Sequence, residues 1–144
     1  MISPVLNTSS AAVAAYLNGE KSAIQNCTKC IVDVRDVALA HILALKKNSW
    51  GKRHLLVGGC PSWEEIVECS VRSLPKECAS SVRERIPTTV SDDTPKPSLG
   101  TNPPHPTLYD CSQAEEALGM KFRGVDEMVA ETVSSLFKWG HVNA

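Results

Sequence analysis

Cys27-Thr-Lys-Cys30 has the spacing at which paired thiols hold zinc or exchange disulfides. Structural zinc takes four ligands, and no second Cys or His pair at close spacing completes the set. A thioredoxin-like role places the pair at a helix N-terminus, whereas this one precedes a segment that reads as a strand. Cys30 by itself fits a small buried thiol. Asp33, Arg35 and Asp36 bring acids and a base together and could pass for a proton-transfer set. Asp33 and Asp36 also have capping-box spacing, with Asp33 as the N-cap, and Arg35 with Asp36 suits an exposed or interdomain ion pair. His41 falls on an apolar helix face and reads as a hydrogen-bonded helix histidine rather than a catalyst. Asn7, Thr8 and Ser9 are polar groups at a helix start, where capping alone explains their types.

The elements that would position these residues follow from periodicity and punctuation. The leader Asn7 to Ser10, an Ala-rich run and Gly19 predict a helix from about Ser9 to Asn18. Thr28 to Val32 reads as a short strand. Val34, Val37, Ala38, His41, Ile42 and Leu45 recur at helical spacing and predict one buried face, with Lys46 and Lys47 in the last turn and Gly51 beyond. His54 to Val57 reads as a second strand, ended by Gly58-Gly59.

Ser62 and Glu65 form a capping box for a helix whose apolar face includes Ile66, Val67, Val71 and Leu74, with Pro75 closing it. Five prolines between Ser91 and Pro106 predict a surface loop. Leu108 onward reads as a short strand turning into a helix that ends at Gly119. From Val125 to Lys138 a longer helix shares Val125, Met128, Val129, Thr132, Val133 and Leu136 on one face. Helices alternate with short strands, so the class is α/β, with few strands for an independent sheet.

A chain of 144 residues, 42% hydrophobic and 22% charged, has the size and composition of one globular domain. One domain is expected over 1–144, with a flexible Pro-rich loop at about 91–106. The net charge of −1 gives no general field toward nucleic acid or anionic lipid. Apolar runs fall short of the ~20 residues that span a bilayer. Met1-Ile-Ser-Pro4 lacks the basic and apolar regions of a secretory signal, so the six cysteines are expected to be reduced thiols of a cytoplasmic protein rather than a disulfide framework.

Several blocks in order resemble the C-terminal half of extended short-chain dehydrogenases/reductases, of the NAD-dependent epimerase/dehydratase superfamily, nearest the dihydroflavonol reductase and cinnamoyl-CoA reductase type. They are Ser3-Pro4 through Asn7-Thr8-Ser9, Ile31-Val-Asp-Val-Arg-Asp-Val-Ala-Leu-Ala-His41, Gly51-Lys-Arg-His-Leu-Leu56, Ser62 to Val67, Asp110 to Gly119, and Glu131 to Leu136. The resemblance implies the substrate-binding part of an extended Rossmann-type reductase, mostly helices with a few short strands. It implies NADP(H) as cofactor and a small-molecule carbonyl as substrate. It would place Asn7, Thr8 and Ser9 near the nicotinamide and Cys30 in the substrate pocket, where relatives carry a polar or basic side chain. Cys30 cannot hold a phosphate as an Arg does in the related epimerases, which argues against a nucleotide sugar.

The chain departs from the family where the reaction is performed. Such reductases bind dinucleotide through a Gly-x-x-Gly-x-x-Gly turn at a helix N-terminus, and none of the eight glycines here forms that spacing. They also use a Tyr-x-x-x-Lys pair, but Tyr16 is followed four residues on by Glu20 and Tyr109 by Gln113. No catalytic residue and no metal ligand is assigned. The expectation is a portion inactive by itself, acting with an N-terminal half or a full-length relative. The rivals are a non-catalytic truncated paralogue serving as an interaction module, and a gene-model fragment.

Overall fold

The computed structural model describes residues 4–46, 51–91 and 109–143. Among the described residues six helices run in chain order: α1 (Thr8–Leu17), α2 (Val34–Lys46), α3 (Trp63–Arg72), α4 (Ala79–Arg83), α5 (Ser112–Leu118) and α6 (Val125–Lys138). The expected Pro-rich loop falls almost wholly outside the described residues.

Local chemistry accounts for the helix ends. The Asn7 side chain accepts the Ser10 N–H at 2.9 Å, so α1 starts one residue earlier than its pattern suggested. Gly19 follows at φ 74°, and a Cβ there would lie 3.1 Å from the Arg85 Cβ. Ser62 and Glu65 complete the reciprocal capping box of α3 at 3.1 and 2.7 Å. Gly119 ends α5 in the left-handed conformation.

The main core joins α1, α3, α4 and α6. Val82, Val133 and Leu136 are fully buried there, with Leu17, Ile66 and Val67 around them. The α3 and α6 faces expected from periodicity both enter this core, joined by Trp63 and Cys69. Trp63 packs on Tyr16 with ring centroids 5.0 Å apart. A smaller cluster of Ala40, Leu118 and Met120 unites α2 with α5, flanked by Leu43, Ala44, Leu56 and Phe122.

Two expectations require correction. Among the described residues the strand segments form only isolated bridges, Thr28↔Ser62 and Ile31↔Gly59 antiparallel and Ile24↔Val90 parallel. His54 to Val57 joins no ladder, because a strand of this length needs a neighbouring strand to receive its backbone groups. The second correction concerns α2, whose buried residues are Asp36 and Ala40. Val34, Ile42 and Leu45 are 49, 50 and 63% exposed, and His41 is exposed with them. Helix α5 packs on the side bearing Ala40, Leu43 and Ala44, which leaves the predicted face uncovered.

Candidate functional site

The sequence-predicted site residues lie on a short antiparallel ribbon and at two helix starts. In the ribbon, Lys29 N–H bonds the Pro61 carbonyl at 2.8 Å, and Ile31 exchanges both backbone bonds with Gly59 at 2.9 and 3.2 Å. Cys30 therefore faces Cys60 directly, with 2.9 Å between their sulfurs. Cys30 is exposed and not the buried thiol its type suggested, because the ribbon edge leaves it open. Loss of hydration, then the sulfurs of Cys60 and Cys111, push its thiol up to about 11. Cys27 lies further along the ribbon, where its carbonyl accepts the Trp63 N–H. Cys30 thus meets Cys60 across the ribbon and not Cys27 along the chain, because a ribbon pairs residues across strands.

Past the ribbon, Asp33 accepts the Arg35 N–H at 2.8 Å, the N-cap role expected of it. Its carboxylate also takes two bonds from the Arg35 guanidinium, which holds Asp33 at about 2. Arg35 reaches on to Glu131 of α6 at 2.9 Å. The expected Arg35–Asp36 pair is not formed. Asp36, 1% exposed, instead accepts the Arg123 backbone N–H at 2.8 Å and the Arg123 guanidinium. Arg123 continues to Glu127 at 3.1 Å. A buried carboxylate needs such partners, and Arg123, 87 positions away, carried no sequence signal as one. His41 Nδ1 lies 2.7 Å from the Val37 carbonyl, which matches a helix histidine bonded to its own backbone.

Asn7, Thr8 and Ser9 are all exposed at the start of α1, with Asn7 occupied in capping. They stand on a different element from Cys30. Gly58 and Gly59 mark the closest backbone approach in the ribbon. A Cβ on Gly59 would meet the Val125 Cγ2 at 2.6 Å, and one on Gly58 would meet the Arg123 carbonyl and Met128 at 3.0 Å. That approach is filled by α6 and its leader, so it offers no cradle for a pyrophosphate. Together with the missing glycine-rich turn, this means that the residues present do not fit the phosphate end of a dinucleotide.

Comparison with known proteins places this architecture. No family model matches the chain. Cinnamoyl-CoA reductase 1 of Arabidopsis thaliana is 30% identical over 141 residues, which is 98% of this chain but 37% of that protein. Cinnamoyl-CoA reductase CAD2 of Medicago truncatula is 31% identical over 94% of the chain and 37% of its own length. The chain is homologous to the C-terminal part of cinnamoyl-CoA reductases. It spans little more than a third of the length of these relatives. Among solved structures, yeast methylglyoxal/isovaleraldehyde reductase Gre2, complexed with NADPH, superposes at TM-score 0.66 with 24% identity. That match covers 98% of this chain and 39% of Gre2, and Gre2 from Candida albicans gives 0.64. The fold is thus that of a C-terminal portion of a Rossmann-type reductase. No helix among the described residues is long and apolar enough to cross a membrane.

Proposed function

We propose that the chain is the substrate-side portion of a cytoplasmic NADP(H)-dependent oxidoreductase that interconverts a small-molecule carbonyl and its alcohol, completed by a nucleotide-binding half. The exposed face of α2 carries this reading. Val34, Leu39, Ile42 and Leu45 are all more than 40% exposed, and Leu55 of the unpaired extended segment is 48% exposed. Apolar residues at helical spacing on one face, beside a segment short of a sheet neighbour, suit burial against a parallel sheet. Both ring nitrogens of His54 are buried and find no hydrogen-bond partner among the described residues, which also suits a missing neighbour.

In this reading NADP(H) is held by the nucleotide-binding half and supplies or accepts hydride. Asn7, Thr8 and Ser9 would border the nicotinamide end, and Cys30 would line the acceptor pocket. The chain alone binds the cofactor poorly and turns nothing over. Co-expression with the N-terminal portion of a cinnamoyl-CoA reductase tests this directly. The complex should co-purify, bind NADPH and oxidise it with an aldehyde or ketone, while the isolated chain does neither. Tight NADPH binding and turnover by the isolated chain would overturn the proposal. The same exposed face also favours a second reading, a non-catalytic module docking on a full-length relative. That reading gains if the chain co-purifies with the intact reductase yet yields no activity with the isolated N-terminal portion.

A further inference from the structure

We infer that Cys30 and Cys60 form a reversible redox pair, a dithiol that closes to a cross-strand disulfide. The argument starts from register. The bridges Thr28↔Ser62 and Ile31↔Gly59 share one antiparallel alignment, which sets Cys30 opposite Cys60. Lys29–Pro61 and Ile31–Gly59 on either side are the backbone-bonded positions, so Cys30–Cys60 is the non-hydrogen-bonded pair between them. At such positions the Cα atoms stand about 4.5 Å apart, at the short end of the range that disulfides span. The sulfurs are already 2.9 Å apart. Closure therefore needs side-chain movement only, with the ribbon staying where its backbone bonds hold it.

Access favours the reaction as well. Cys30 is exposed and Cys60 half-buried, whereas Cys69 and Cys78 are buried in the main core. The oxidant is a small-molecule disulfide such as oxidised glutathione. One cysteine thiolate attacks it, forming a mixed disulfide and releasing one glutathione thiolate. The second cysteine thiolate then attacks the protein sulfur of that mixed disulfide and releases the other. The two cysteine protons end on the two glutathione molecules, and the two electrons lost by the cysteines reduce the glutathione disulfide. The inference rests on the ribbon alone and stands whether or not the chain serves a carbonyl reductase.

The test is disulfide mapping of the soluble, helical chain after equilibration with oxidised and reduced glutathione, followed by alkylation and trypsin. Cleavage after Lys29, Arg35, Arg53 and Arg72 puts Cys27 and Cys30 in different peptides and Cys60 with Cys69, which fragmentation then resolves. The expected result is a Cys30–Cys60 link as the dominant bridge in the native chain. It should be lost in Cys30→Ser and in Cys60→Ser, retained in Cys27→Ser, reversed by reduced glutathione, and reduced to a statistical share in denaturant. A dominant Cys27–Cys30 link, glutathione adducts without the cross-link, or the same distribution native and denatured would each overturn the inference.

Discussion

Asp36 is the residue on which the smaller half of the structure turns. Its carboxylate is 1% exposed and is satisfied by the Arg123 backbone N–H and guanidinium, so it ties the start of α2 to the leader of α6. Asp36→Asn keeps the shape but removes the charge, leaving the guanidinium without its counter-ion. Breaking a buried pair costs about 3–5 kcal/mol, and because Arg123 is 32% exposed, solvent screening lowers this to about 2–3 kcal/mol. Denaturant titration should show a lower midpoint with an unchanged slope. Asp33 gives the pH-dependent counterpart. Its hydrogen bonds to Arg35 lower it from 3.8 to about 2 in the folded chain. Its contribution is therefore complete above the unfolded value and is lost as pH falls from about 4 through 2. Asp33→Asn should flatten the stability–pH curve in that window, and an unchanged acid limb would contradict the assignment. Capping by Asp33 was legible because its acceptor and donor are two residues apart. The Asp36–Arg123 bond was not, since a buried carboxylate declares its partner only once the chain is folded.

At the scale of elements, what the sequence disclosed was whatever local spacing decides. Helices α1 and α3 came with their N-caps and α5 with Gly119 at its end, and the buried faces of α3 and α6 with their periodicity. The apolar stripe of α2 was also visible, but periodicity reports that a face is meant to be covered and not by what. The strand pattern at 28–32 pairs with 59–62 only through isolated bridges, and the one at 54–57 pairs with nothing among the described residues, since a ladder depends on a neighbour that local spacing does not reveal. Helix α4, with five residues, is too short to show a helical period.

These points separate two kinds of apolar residue experimentally. Leu136→Ala, at 0% exposed, should cost about 2–5 kcal/mol. Ile42→Lys with Leu45→Lys should stay within about 0.5–1 kcal/mol in the isolated chain while reducing self-association on size-exclusion chromatography. A loss for the lysine pair as large as that of Leu136→Ala would show that the α2 face is already core. The junction of ribbon and α6 makes a further case. Gly59→Ala drives a Cβ to 2.6 Å from the Val125 Cγ2, and such overpacking costs about 1–3 kcal/mol. Adding Val125→Ala removes the clashing methyl, so the double variant should melt above Gly59→Ala alone despite losing apolar volume.

Across the whole molecule the two cores are unequal. The larger binds α1, α3, α4 and α6, and the smaller buries Ala40, Leu118 and Met120 beneath a helix whose other face is open. Apolar burial stabilises in proportion to area, about 25 cal/mol per Å², so the α2–α5 part depends more heavily on its ion pairs and on whatever covers its outer face. Local opening follows the weakest packing. Hydrogen exchange of the isolated chain should show α2 and α5 exchanging well ahead of α3 and α6, with the chain tending to self-associate. Binding the nucleotide-carrying half should then slow exchange across α2 while leaving α3 nearly unchanged, because only the first gains a covering surface. Uniformly slow exchange in the isolated chain, accompanied by a cooperative monomeric melt at high temperature, would mean that α2 needs no cover. The apolar face would then no longer support the proposed seam between two halves of one reductase.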